Sequence, residues 1–139
     1  MDEMVREVQR WLNDTYTDRN GYQPVAEDGI TGWGTIKALT VALQIEIGVA
    51  SPDGVFGPAT MSLAPTLSVG STEERLVKIV QGALFCKGYN PTGFTGVYGN
   101  GTKSAIMQLQ SDAGLSNPDG VTTPIILKAL LTMDAYVNL

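Results

Sequence analysis

The chain has 139 residues, 43% of them hydrophobic, with a net charge of −5 and a pI of about 4.5. That acidity repels phosphate, and no run of Lys and Arg overrides it, so nucleic acid and anionic membrane surfaces are excluded as partners. Histidine is absent and Cys86 is the single cysteine, which removes His-ligated zinc, Ser–His and Cys–His catalysis and an internal disulfide.

In chain order, the first predicted helix covers Glu3 to Thr15. Val5, Val8 and Leu12 fall at helical spacing there, with Met4 and Trp11 flanking the stripe. The turn-rich stretch from Thr17 to Pro24 ends it. A second helix is predicted from Thr35 to Ile47, buried through Ile36, Leu39, Leu43 and Ile47, with Gly48 as its stop. A third opens at Pro58, a residue favoured in a first helical turn, and runs to Leu63. After a connection over 64–70, Ser71 and Glu74 have capping-box spacing, and a fourth helix is predicted from Thr72 to Lys87. Within it Cys86 ends an apolar run and reads as a small buried hydrophobe rather than a reactive thiol. The fifth helix, Gly101 to Ala113, buries Ala105, Ile106 and Leu109. The sixth opens at Pro124, with Ile125, Ile126, Ala129, Leu130 and Met133 for its buried face. No segment reads as a strand.

One pattern, Asp-Gly-x-Phe-Gly-x-x-Thr, punctuates this series. Its cleanest copy is Asp53 to Thr60, and looser copies start at Asp28, Thr95 and Asp119. The copies pair into two halves, each led by a helix with a Val-Gln step, Val8-Gln9 and Val80-Gln81. Gln9 to Gln81 spans 72 positions, Gly34 to Gly101 67 and Gly54 to Gly120 66, so length differences fall in loops. The expected architecture is therefore all-α: two tandem three-helix repeats, 1–67 and 72–139, packed together with pseudo-symmetry. Gln44 lies one residue further from Thr35 than Gln110 does from Thr102, which predicts a slip or bulge in the second helix. In each copy the Asp caps the following turn, Gly supplies positive φ, Phe56 or Tyr98 inserts into the core and the Thr starts a helix.

With these motifs in place, the chain resembles the bacterial peptidoglycan-binding domain family, the three-helix modules of wall hydrolases and phage endolysins. The second half carries Ile79-Val80-Gln81, Leu84, Gly88-Tyr89, Gly96-Val97-Tyr98-Gly99, Thr102, Ala105-Ile106, Leu109-Gln110, Gly114-Leu115 and Asp119-Gly120-Val121 of its pattern. The first half carries Val8-Gln9, Leu12, Gly21-Tyr22, Asp28-Gly29, Gly32, Thr35, Ala38-Leu39, Gln44 and Asp53 to Thr60. Thr31, Thr95 and Thr122-Thr123 depart from it.

The resemblance implies a non-catalytic module that binds peptidoglycan, through its glycan or its stem peptide, and targets a linked cell-wall hydrolase. It implies an extracellular or wall-associated location, although no secretory leader is visible at the N-terminus. Ligand contacts are expected from Trp33, Tyr22, Asp28, Tyr89, Phe94, Tyr98 and Asn100, with no catalytic residue, metal or cofactor. Trp33, between Gly32 and Gly34, is either presented to ligand or folded back on its own repeat. Tyr22 and Tyr89 serve as core caps, ligand contacts or both. Asn100 is the counterpart of Trp33, Phe94 belongs to the same rim, and Trp11 reads as core. Two rivals remain: a small hydrolase using two carboxylates drawn from Glu7, Glu27, Asp28 and Glu46, and a protein-interaction module on the same fold.

Overall fold

Six helices follow one another in the computed structural model, which describes residues 1–132: α1 (Glu3–Tyr16), α2 (Trp33–Ile47), α3 (Pro58–Leu63), α4 (Glu74–Cys86), α5 (Asn100–Asp112) and α6 (Pro124–Leu130). The fold is all-α, as the periodicity predicted, and Met133 lies outside the described residues. Among those residues the sole β-type pairing is one antiparallel bridge, Leu67 with Thr122.

The local chemistry explains the ends. The Asp2 carboxylate accepts from the Met4 and Val5 N–H groups and caps α1. Gly48, at φ 84°, closes α2 in the left-handed region. Pro58 and Pro124 open α3 and α6, where a missing N–H costs nothing. The start of α4 corrects the predicted capping box. Ser71 turns back and accepts from the Ser68 N–H at 3.0 Å, so it is unavailable as a cap, and the helix begins at Glu74.

One core runs through both halves, joining Val8, Leu12, Ile36, Leu39 and Leu43 to Ile79, Val80, Leu84, Ile106, Leu109, Ile126 and Leu130. Its axis is the α2–α4 contact, the most extensive between any two helices. Thr35, Ile36 and every residue from Ala38 to Gln44 are buried, so α2 is enclosed on all sides rather than on one face. Gly82 lets α4 close on both α1 and α2, because a Cβ there would lie 2.8 Å from Val8 Cγ1 and 3.4 Å from Leu39 Cδ2.

Nor does the extra residue in α2 produce a slip or bulge, since the helix is unbroken. It is absorbed in the first turn. Lys37 precedes Gln44 by the same spacing as Lys103 precedes Gln110, and each lysine stem lies over a motif glycine, Gly54 or Gly120.

Candidate functional site

The four motif loops are built around four buried glutamines, Gln9, Gln44, Gln81 and Gln110. In each, the amide oxygen accepts from the motif glycine: Gly29 N–H at 2.8 Å, and Gly54, Gly96 and Gly120 N–H at 2.9 Å. Its amide nitrogen donates to the first motif side chain, Asp28, Asp53, Thr95 or Asp119, and to the carbonyl of Ile30, Val55, Val97 or Val121. In the first three copies it also reaches the Thr hydroxyl that starts the next helix, Thr35, Thr60 or Thr102, each at 3.0 Å. Each loop is thereby tied to the helix before it and, in these three, to the helix after it. The Asp carboxyls of Asp28, Asp53 and Asp119 sit below the usual carboxylate range, chiefly because the N–H two residues on donates to each.

This latch leaves the third motif residue facing out, so Ile30, Val55 and Val97 are exposed while Phe56 is buried. Tyr98 is 1% exposed, and its hydroxyl donates to the Gly120 carbonyl and meets the Thr122 hydroxyl, both at 2.8 Å. Its assignment as a ligand contact is corrected accordingly: the ring belongs to the core, and the hydroxyl is consumed there. Asp28 is likewise engaged, with the Ile30 N–H and Gln9.

The two first-turn tyrosines part company. Tyr22 is 7% exposed and donates to Asn13 Oδ1 at 2.7 Å, which makes it a core cap. Tyr89 is half-buried and donates to Asp112 Oδ2 at 2.7 Å on α5. Phe94 does not stand on an open rim. It packs edge-on against Trp11, ring centroids 5.4 Å apart, under the Lys78 ammonium. Trp11 is half-buried and also meets Tyr16 edge-on. Trp33 and Asn100 do occupy equivalent places, as the first residues of α2 and α5, and both are exposed, Trp33 by 52%.

Along the first turns of α2 lies a groove of about 280 Å³. The turn Gly21, Gln23, Pro24 and Val25 forms one wall, and Gly34, Lys37, Ala38 and Val41 of α2 the other, with Asp53 at one end. A related groove of about 470 Å³ separates the turn at Gly88, Tyr89 and Asn90 from α5. The carboxylates weighed for hydrolysis have structural partners. Glu27 pairs with Arg10 at 3.5 Å and accepts from Asn13; Glu46 pairs with Arg75 at 3.6 Å and accepts from Tyr16. Glu7 is exposed on α1.

Sequence reasoning missed the glutamines. The signal was available: Gln44 precedes Asp53 by the same spacing as Gln110 precedes Asp119, and a polar side chain recurring within an apolar stripe needs buried partners.

Six helices pinned by glutamine-latched loops, with grooves against α2 and α5, make up an all-α domain, and its family fixes its class as PGDB-like. The chain belongs to the FadG/YbfG, PGDB-like domain family, whose model matches residues 1–117. Two relatives come from Bacillus subtilis strain 168, both described as uncharacterised. FadG is 50% identical over 143 residues, covering the whole chain and 25% of FadG; YbfG is 50% identical over 139 residues, covering 98% of the chain and 19% of YbfG. The chain thus spans about a quarter and a fifth of the relatives it matches. No solved structure matches it significantly. This family corrects the resemblance drawn from the motifs, the peptidoglycan-binding domains of hydrolases and endolysins. The physical reason lies in the latch: the motif residues that carried that resemblance hold loops to helices, and a loop-to-helix device identifies a fold rather than a ligand.

Proposed function

We propose that this domain is a non-catalytic module that binds peptidoglycan at the bacterial cell surface and holds there a longer polypeptide carrying a catalytic domain. The observation that carries the reading is Trp33, a large ring left 52% exposed next in the chain to Gly34, which lines the first groove, in a domain of PGDB-like family. Glycans and peptides are held by aromatic faces together with a few placed polar groups, and Lys37 and Asp53 supply the polar groups here. A module that only binds still raises the local concentration of whatever it is joined to. We also read residues 1–67 and 72–139 as two copies of one three-helix unit; the support is the fourfold recurrence of the glutamine latch.

The test is sedimentation of the chain with purified sacculi, wild type beside Trp33→Ala. Covering the open half of the ring is worth about 1–2 kcal/mol, close to tenfold in affinity. The expected result is pelleting that Trp33→Ala weakens about tenfold while the melting temperature holds. A wild-type chain that stays in the supernatant, or a variant that pellets equally well, overturns the reading. Release of reducing ends or free amines from the sacculi would overturn the non-catalytic part of it.

A further inference from the structure

We infer that the groove of the second half is a subsite for a neutral N-acetylated sugar of the wall polymer rather than for its charged peptide, an inference that rests on the wall-binding reading above. Among the described residues the groove offers five hydrogen-bonding side chains, Tyr89, Asn90, Ser104, Gln108 and Asp112, and no Lys or Arg. The Ser104 and Gln108 side chains are exposed and have no hydrogen-bond partner among the described residues. The two grooves differ because the tyrosines that start their turns differ. Tyr22 is drawn inward by Asn13 of α1. Counting from the latch glutamines, the α4 counterpart of Asn13 is Phe85, which has no side-chain acceptor. Tyr89 therefore engages Asp112 across the groove, which places a half-buried phenol ring there.

These groups match sugar chemistry. Each hydroxyl of a sugar both donates and accepts, as do amide and hydroxyl side chains, and an N-acetyl group adds one donor and one acceptor. A carboxylate such as Asp112 accepts from hydroxyls, and an aromatic ring covers the apolar face of a pyranose. A stem peptide carrying free carboxylates would meet Asp112 with no cation to offset the repulsion, in a chain of net charge −5. The first groove, with Lys37 beside Asp53, lacks this bias.

The experiment titrates the isotope-labelled chain with a neutral N-acetylglucosamine tetramer and, separately, with a sugar-free stem peptide, reading backbone amide shifts. The expected result is saturable shifts confined to 88–90 and 104–112 with the tetramer alone. Gln108→Ala, which removes an exposed side chain and leaves the fold intact, should weaken tetramer binding by about fivefold, the value of one hydrogen bond. Shifts in this groove from the peptide alone, tetramer shifts confined to other residues, no tetramer binding, or an unchanged Gln108→Ala variant each overturn the inference. Sedimentation separates it from the wall-binding reading. A chain that pellets with sacculi yet ignores the tetramer loses only the sugar subsite; a chain that fails to pellet loses the wider reading, and the amide shifts still decide the groove.

Discussion

Gln81 is the most exacting test of the latch, because it sits on α4, where both halves meet. Its oxygen accepts from the Thr95 N–H at 3.0 Å and the Gly96 N–H at 2.9 Å, and its nitrogen donates to the Val97 carbonyl and the Thr102 hydroxyl, each at 3.0 Å. Gln81→Ala strands these four partners, together with the Thr95 hydroxyl at 3.4 Å, and leaves a small void. An unsatisfied buried polar group costs about 1–3 kcal/mol, so two stranded N–H groups and the void together cost about 3–5 kcal/mol. With a urea slope of ~2 kcal/mol per molar, the unfolding midpoint should fall by roughly 1.5–2.5 M. Gln81→Glu keeps the shape but, when ionised, turns a carboxylate oxygen on the Val97 carbonyl. Burial and that carbonyl raise its folded pKa above the unfolded value of about 4.3. A raised folded pKa means the stabilisation is full below ~4.3 and is lost as pH rises through the folded value. The Glu variant should therefore show a large deficit against wild type at pH 7 that shrinks as the pH approaches 4.5. Urea unfolding followed by tryptophan fluorescence at both pH values measures this. An Ala variant within ~0.5 kcal/mol of wild type, a difference typical of exposed surface changes, or a Glu deficit independent of pH, would refute the latch as a source of stability.

Two glycine substitutions should move stability in opposite directions. Gly82→Ala places a Cβ 2.8 Å from Val8 Cγ1 and 3.4 Å from Leu39 Cδ2. Overpacking of about 1–3 kcal/mol should outweigh a helix-propensity gain of at most ~1 kcal/mol, and the melting temperature should drop. Gly34→Ala meets nothing within 4 Å and should raise it; equal shifts in both variants would contradict the crossing geometry. The carboxyls of Asp28, Asp53 and Asp119 are depressed by backbone N–H donors, so their support is full above about pH 3.9 and is lost as pH falls through their folded values. Melting temperatures measured from pH 6 to pH 2 should fall in that window, and less steeply in Asp53→Asn. Burial pushes the Cys86 thiol up to about 11. At pH 8 a thiol reagent should modify folded protein slowly and urea-unfolded protein fast, and rapid labelling of the folded chain would place the sulfur outside the core.

The helices were legible because their signals are local. Pro58, Pro124 and Gly48 act within one turn of the chain, and α3 begins and ends at the predicted residues. What sequence alone could not supply depends on neighbours distant in the chain. The Ser71–Glu74 spacing is a valid capping signal, but Ser68 is the partner Ser71 finds. Tyr22 and Tyr89 occupy equivalent turns, and only the residue facing each, Asn13 or Asp112, decides whether the ring turns inward or outward. Trp33 could be placed at the start of its helix, but the sequence left open whether its ring stands out or folds back, and Phe94 could not be set against Trp11 without knowing how α1 meets the second half. The enclosure of α2 on all sides likewise follows from α4, whose buried Gly82 takes the place that exposed Arg10 holds in α1.

The bridge between Leu67 and Thr122 bears on how the chain folds as it is made. Leu67 is fully buried, and its N–H and carbonyl are both paired with Thr122, a residue synthesised only after most of the second half. At about 5–20 residues per second, the first three helices wait several seconds on the ribosome before this partner exists. During that wait the faces of α3 and α4 destined for α6 are open to water and to other chains. Crowded synthesis, or a pause before α6, is therefore the stage at which this molecule is most vulnerable to aggregation, and a chaperone that recognises apolar helices would find its binding site on α4.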